Sequence, residues 1–310
     1  MSGTSPVAKN ATWTKSPAEP TKSAKATALT RPNLSAKTPP NGLMISIATV
    51  VDPRTSPSIF ASPSGRFKIP NSTTYTILSS ESDLLFIRSY VHRLKNNEPF
   101  QHIHGTTIFF GLELICDKRA LIPRPETEEL LAWAVEFGPY KTIADLCTGS
   151  GCIALGLKSK FSESYITGLD ISADALSLAR ENSKLTNLDV EFNHADVLNI
   201  NGDLLDKKWG CIISNPPYIP TNERESIAEN VLNFEPEISL FVENENPIIF
   251  YEAIVKYAKS NLSENGFLFF EIHPEFSAEI SDLLKLKGFI NIELRKDLQG
   301  KNRMIKAQNA

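Results

Sequence analysis

The run Asn215-Pro216-Pro217-Tyr218 has the most specific chemistry in the chain. It follows Cys211-Ile212-Ile213-Ser214, a short apolar stretch that reads as a β-strand. Two consecutive prolines fix φ and remove two N–H donors, leaving a rigid turn with outward carbonyls. Asn215 offers a side-chain acceptor oxygen and the Pro216 carbonyl a second. Such a pair matches a planar NH₂ group, which has two protons to donate, and Tyr218 adds a flat face to stack on it. The nitrogen of an amide or aromatic amine is a poor nucleophile because its lone pair is delocalised. Accepting both of its hydrogen bonds raises electron density on nitrogen and holds it in line with an electrophilic methyl group. An ordinary Asn-Pro turn after a strand is the bland alternative.

Three further strand ends carry the signals of a nucleoside site. Asp145-Leu146-Cys147-Thr148-Gly149-Ser150-Gly151 runs from a strand into a helix near Cys152–Lys158. Glycines there let backbone approach a ligand, and the helix N-terminus favours an anionic group. Asp170 ends the next strand about twenty residues on, where an acid can accept from both ribose hydroxyls. Asp196 beside Val197 follows the third, an acceptor for an exocyclic amine next to an apolar cover for an adenine ring. Singly, each acid could simply cap a helix; in this order after successive strands they describe an adenosine site. The spacing is not G-x-G-x-x-G, so a nicotinamide cofactor is disfavoured.

The elements that position these residues alternate. Strands are expected at 142–146, 165–169, 189–193, 210–214 and 266–271, with helices between and after them, including 248–262 and 275–287. Strands joined by crossover helices build an α/β fold with a doubly wound, parallel sheet. Ligands bind beyond the carboxyl ends of such strands, which is where the informative residues fall. Stretches 289–294 and 302–307 around Gly300 predict a terminal antiparallel hairpin. An amphipathic helix is expected over 81–95, and residues 106–116, with a turn at Gly111, read as another hairpin.

Composition divides the 310 residues. Residues 1–75 hold nine Lys/Arg against two acids and half of the twenty prolines, leaving 23 basic against 34 acidic groups and a net charge of −11 for the rest. The first segment reads as a disordered basic extension. A transit peptide, a basic arm touching RNA or a ribosome, and a non-native extension from a mis-called start, with the true start nearer Met44 or beyond, all fit it. No run approaches 18 apolar residues, so no membrane-spanning helix is expected. Four cysteines without a C-x-x-C pair, and His102 and His104 two apart, suggest neither disulfides nor a metal site, and a reduced cytoplasmic protein is the default.

The chain resembles the class I S-adenosylmethionine-dependent methyltransferases and, within them, the HemK/PrmC family of peptide chain release factor N5-glutamine methyltransferases. The resemblance spans about residues 82–307. It is carried by Ile122-Pro123-Arg124-Pro125-Glu126-Thr127-Glu128, the turn Asp145–Gly151, Asp170, Asn215-Pro216-Pro217-Tyr218-Ile219, Phe234-Glu235-Pro236 and the closing Lys296–Arg303. The NPPY tetrapeptide alone is shared with DNA and RNA amine methyltransferases; its combination with IPRPETE favours protein glutamine. The acidic folded part also argues against a nucleic-acid partner.

The resemblance implies a Rossmann-like, mostly parallel seven-stranded sheet. It implies methyl transfer from S-adenosyl-L-methionine to the glutamine amide in the GGQ motif of release factors, the protein partners, with no membrane or direct nucleic-acid binding and a monomeric enzyme. A ribosomal-protein glutamine or a DNA/RNA amine is the alternative substrate. By position, Cys147, Thr148, Gly149, Ser150 and Gly151 would contact the methionine part of the cofactor. Asp170 would hold the ribose, and Asp196 and Val197 would flank the adenine. Asn215, Pro216, Pro217 and Tyr218 would grip the glutamine, with Asn215, Pro216 and Tyr218 catalytic and Asn215 also next to the cofactor. Glu126 and Glu128 are expected near the pocket mouth.

Two departures stand out: Cys147 replaces the first glycine of the turn, and the family's helical N-terminal recognition domain is reduced. Residues 76–104 read as its helical remnant, 105–125 as a hairpin linker and 126–310 as the methyltransferase domain.

Overall fold

The computed structural model describes residues 81–202 and 206–310, together with three short strands, β1 (Phe60–Ala61), β2 (Arg66–Lys68) and β3 (Tyr75–Ile77). These three pair antiparallel in chain order. They belong to a unit spanning Met1–Ile77, and Leu78–Ala310 form a second. The expected disorder of residues 1–75 otherwise concerns positions outside the described residues.

The second unit begins with helix α1 (Glu81–Lys95) and the single turn α2 (Phe100–His104), which Gly105 closes at φ 84°. The hairpin of β4 (Thr106–Phe109) and β5 (Leu112–Ile115) follows. Its two-residue turn, Phe110-Gly111, has φ of 50° and 80°. Positive φ at both positions matches the right-handed twist of the strands. Helix α3 (Pro125–Glu136) then starts with proline in its first turn, where a missing N–H costs nothing, and with Glu126 and Glu128 near its positive end.

The central sheet has seven strands: β6 (Thr142–Leu146), β7 (Tyr165–Asp170), β8 (Glu191–His194), β9 (Trp209–Ser214), β12 (Leu262–Glu271), β13 (Phe289–Lys296) and β14 (Asn302–Asn309). A parallel pair of two-residue strands, β10 (Ile219–Pro220) and β11 (Phe241–Val242), lies between β9 and β12 in the chain. Helices α4 (Cys152–Lys160), α5 (Ala173–Thr186), α6 (Glu229–Phe234), α7 (Ile249–Asn261) and α8 (Ser277–Leu286) complete the unit.

The sheet order is β13-β14-β12-β9-β6-β7-β8, parallel except for the final hairpin strand β14 and its antiparallel contacts with β12 and β13. This is the expected α/β, doubly wound sheet with a terminal antiparallel hairpin. The expected 189–193 strand starts later, at Glu191, because α5 ends on Asn187 in the left-handed region (φ 54°) and the chain needs Leu188–Val190 to return.

Both faces of the sheet are covered, so its inner strands read as continuous apolar runs. Ile143, Cys211, Ile213, Phe269 and Met304 pack with Trp133, Leu155 and Leu176 on one face. Ala144, Leu146, Ile212, Leu268, Phe270 and Ile305 pack with Tyr251, Ile254, Ile280 and Leu284 on the other. Among the described residues, no helix is long and apolar enough to cross a membrane.

Gly168 in β7 shows how tightly the site end of the sheet is built. A Cβ there would lie 2.7 Å from the Phe192 ring and 2.7 Å from Thr148 Oγ1. Neither neighbour can withdraw freely, since Phe192 is core and Thr148 donates to Asp145. Gly168→Ala is therefore expected to lose about 1–3 kcal/mol of stability by overpacking. A urea midpoint equal to that of the parent protein would refute this packing account.

Candidate active site

Chain order and sheet order diverge at β6. The chain moves outward from β6 through β7 to β8, then returns to β9 on the opposite side of β6. A crevice opens at such a switch point, beyond the carboxyl ends of the strands. Register decides what meets there. Leu146 pairs with Ser214 across β6–β9 and with Leu169 across β6–β7. The next residues along, Cys147, Asn215 and Asp170, therefore emerge side by side. The Ser214 hydroxyl ties the strand ends together by donating to the Leu146 carbonyl at 2.6 Å.

A cavity of about 200 Å³ occupies this crevice, room for a ligand rather than a single water. The expected residues Cys147, Thr148, Gly149, Ser150, Asp170, Asp196, Val197, Asn215 and Pro217 all line it. Gly151, Pro216 and Tyr218 are not part of its wall. Gly151 starts α4 at φ 80°, and a Cβ there would press on Phe192 and Ala179. The site also recruits residues with no distinctive sequence signal, among them Ala120, Ile171, Leu198, Ile238 and Phe250.

The glycine turn is held from three sides. Cys147 and Gly149 sit at φ 61° and 56°, in the left-handed region. A cysteine there accepts a strain that glycine would not feel, and desolvation of its half-buried thiol raises its pKa. The Thr148 amide bonds the Leu169 carbonyl at 2.9 Å. Asn182 of α5, fully buried, donates to the Ser150 carbonyl at 3.0 Å while receiving the Ile115 amide at 2.6 Å. One side chain thus joins the turn, α5 and the hairpin.

Asp170 combines the two roles left open by its sequence position. Its carboxylate accepts the Gly149 amide at 2.8 Å and the Ser172 amide at 2.9 Å, which caps the turn. A carboxylate has about four acceptor sites, so these bonds leave acceptor capacity for a hydroxyl of a ligand. Burial raises its pKa, and the backbone amides of Ser172, Gly149 and Ile171 oppose the rise. Asp196 is likewise engaged by its own turn, accepting from the Leu198 amide and the Asn199 side chain, both at 2.9 Å.

Asp145, beneath the turn, is fully buried; it accepts from the Thr148 hydroxyl at 2.6 Å and the Ala154 amide at 3.1 Å. Burial raises its pKa to about 7. A carboxyl whose folded pKa lies above its unfolded value adds stability at low pH and loses it as pH rises through the folded value. The stability of Asp145→Asn relative to the parent should therefore improve between pH 5 and pH 8.5, by a few kcal/mol in order of magnitude. A difference in urea midpoints that stays constant over that range would contradict this origin.

The family motifs meet at the lip. Glu235 of the Phe-Glu-Pro run, its side chain only 1% exposed, accepts from the Ile122 amide at 3.0 Å and pairs with Arg124 at 2.6 Å. Arg124, Thr127 and Pro236 line the cavity. Glu126 and Glu128 do not; Glu128 instead accepts the Phe110 amide at 2.5 Å and fastens the hairpin turn to α3. Behind Asn215 lies a buried carboxylate that no motif marks: Glu271, 2% exposed, at the end of β12. Beyond it, Glu223, His273 and Glu275 bring three ligand-type atoms within 4.8 Å, although His273 Nδ1 already accepts the Glu275 amide.

The model of the methyltransferase small domain family matches residues 127–237. A release factor glutamine methyltransferase of Flavobacterium psychrophilum is 40% identical over 220 residues, 69% of this chain and 76% of that protein. The protein of the same name from Bacteroides thetaiotaomicron is 34% identical, covering 71% and 80% respectively. The chain belongs to the release factor glutamine methyltransferase family. A crystal structure of a methyltransferase from Pyrococcus furiosus, at 13% identity and a TM-score of 0.50, covers 74% of this chain and all of that one, and shares its fold. Membership makes the chain a methyltransferase.

Proposed function

We propose that the chain transfers a methyl group from S-adenosyl-L-methionine to the side-chain amide nitrogen of the glutamine in the GGQ motif of peptide chain release factors. The observation that carries this reading is the register of β6 and β9, which places Asn215 beside the glycine turn at one cavity. The residues present suit the cofactor. The cavity has apolar walls at Val197, Leu198 and Phe250 for a ring, and Asp170, which lines it, keeps acceptor capacity for a ribose hydroxyl. When bound, S-adenosylmethionine supplies an electrophilic methyl group.

The chain's own groups do the rest. Asn215 Oδ1, at the cavity wall, and the Pro216 carbonyl, which the glutamine amide would reach just outside that wall, accept the two protons of the glutamine NH₂, which fixes its plane and raises electron density on nitrogen. Pro217 and Tyr218 keep that turn rigid, Tyr218 through its hydroxyl bond to Glu271 at 3.0 Å. No side-chain base is required, because the amide's acidity rises sharply once nitrogen is alkylated and the proton then leaves to solvent. On this reading the chain acts in the cytoplasm as a monomer, with 76–104 as the remnant of the recognition domain.

The test is transfer of labelled methyl from S-adenosylmethionine to a purified release factor, beside its GGQ Gln→Ala variant. Label on the unmodified factor alone is expected. Equal labelling of both, or none while the cofactor still binds by calorimetry, would overturn the substrate assignment.

A further inference from the structure

The Ile-Pro-Arg-Pro-Glu-Thr-Glu and Asn-Pro-Pro-Tyr motifs meet at a hydrogen bond. Asn215 Nδ2 lies 3.2 Å from Thr127 Oγ1. The Thr127 hydroxyl donates to Glu271 Oε2 at 2.7 Å, and the Tyr218 hydroxyl donates to Oε1 at 3.0 Å. Glu271 enters no ion pair among the described residues; Arg303 acts on it from farther off and is itself paired with Asp297 at 3.3 Å. The register of β12 on β9, Phe270 opposite Ser214, brings Glu271 next to Asn215. The Tyr251 hydroxyl holds the Glu271 carbonyl at 3.0 Å.

We propose that Thr127 and Glu271 are positioning residues that determine which end of the Asn215 amide meets the substrate. The proposal rests on the glutamine methyltransferase reading of the site.

An asparagine amide is nearly symmetric in shape, yet its two ends are opposite in hydrogen-bonding sense. Turned one way it offers an acceptor to the substrate NH₂; flipped, it sets donor against donor. A buried carboxylate removes the choice. It only accepts, so it takes the single proton of the Thr127 hydroxyl. That hydroxyl then has only lone pairs to offer Asn215, and must receive Nδ2–H. Oδ1, on the other side of Cγ, is the end left for the cavity that Asn215 lines. Burial raises the pKa of Glu271 on balance, and the hydrogen bonds from Thr127 and Tyr218 and the charge of Arg303 oppose that rise; the polarity argument rests on the two hydroxyls donating to its two oxygens. Buried hydrogen-bonded carboxylates add little net stability compared with apolar replacements, so directing Asn215 is the better reason for this one.

Three substitutions in the full chain separate direction from packing. Thr127→Val keeps the shape and removes the hydroxyl. Thr127→Ser keeps the hydroxyl. Glu271→Gln is isosteric but can donate to Thr127, which would then donate to Asn215 and favour the flipped amide. Measured with labelled S-adenosylmethionine and a release factor, Thr127→Val and Glu271→Gln should lower kcat about tenfold or more. KM, cofactor affinity by calorimetry and thermal midpoint should change far less, and Thr127→Ser should recover most of kcat. In the cofactor-bound protein, the Asn215 side-chain NH₂ resonances should shift and lose exchange protection in Thr127→Val.

A kcat within about twofold of the parent in Thr127→Val and Glu271→Gln, a fall as large in Thr127→Ser, or unmoved Asn215 resonances would each overturn the proposal, since a lost polarity is worth a hydrogen bond or more. The resonances need no substrate. If they respond as expected while the unsubstituted chain fails to label a release factor, the positioning stands and the substrate assignment falls.

Discussion

Replacing Asn215 by Ala should lower kcat for methyl transfer by about 10²–10³-fold, the range seen when one preorganised hydrogen-bonding group is removed from a reacting centre. The loss should fall on kcat because the side chain matters most when nitrogen begins to bond to the methyl carbon. Its structural commitments are few: one 3.2 Å bond to Thr127, at the edge of the cavity. Cofactor affinity should accordingly stay within about threefold, less than the value of one hydrogen bond. The experiment is single-turnover transfer beside calorimetric titration with S-adenosylhomocysteine. A tenfold loss of cofactor affinity with little change in the chemical step would mean that Asn215 holds the cofactor and something else activates the glutamine.

Asp170→Ala should produce the opposite pattern, weakening cofactor binding by about 1–3 kcal/mol, or 5–150-fold, as a buried hydrogen-bonded carboxylate is lost. Part of this would come through the turn, since the Gly149 and Ser172 amides lose their acceptor as well. Asp170→Asn separates the parts. Its remaining carbonyl oxygen can serve one of those amides, and its NH₂ can still meet a ribose oxygen, so an intermediate loss is expected. If neither substitution alters affinity, Asp170 is a cap for the turn and helix α5 and nothing more. The two experiments together test whether the crevice divides into a cofactor half governed by β6 and β7 and a reacting half governed by β9.

Much of this organisation was legible in the chain. The short apolar runs of β6, β7, β9 and β12 announce strands buried on both faces, and the helical periodicities between them impose parallel crossovers. Glycines, acids and prolines at the strand ends then mark the ligand crevice, because strand order reverses there. Local chemistry sufficed for all of that: φ freedom at Gly149, two locked φ angles at Pro216 and Pro217, a carboxylate at the end of a strand. The family followed from the IPRPETE and NPPY motifs occurring together.

Residues whose roles depend on a partner distant in sequence were not legible. Asn182 is an unremarkable helical asparagine until folding sets it between the hairpin and the glycine turn. Glu128 lies in a motif yet serves Phe110, since the hairpin turn lands on the first turn of α3. Glu271 ends an apolar strand, where an acid signals only that the strand has reached the surface. The register of β12 against β9 instead buries it behind Asn215, 144 residues from the Thr127 hydroxyl that it accepts. The sequence by itself therefore determined the sheet, the crevice and the kinds of groups that line it, because these follow from local periodicity and backbone restriction. On the orientation proposed above, which way the Asn215 amide faces is decided by tertiary structure alone, because direction in a hydrogen-bond chain belongs to the whole chain of partners and only strand register assembles it.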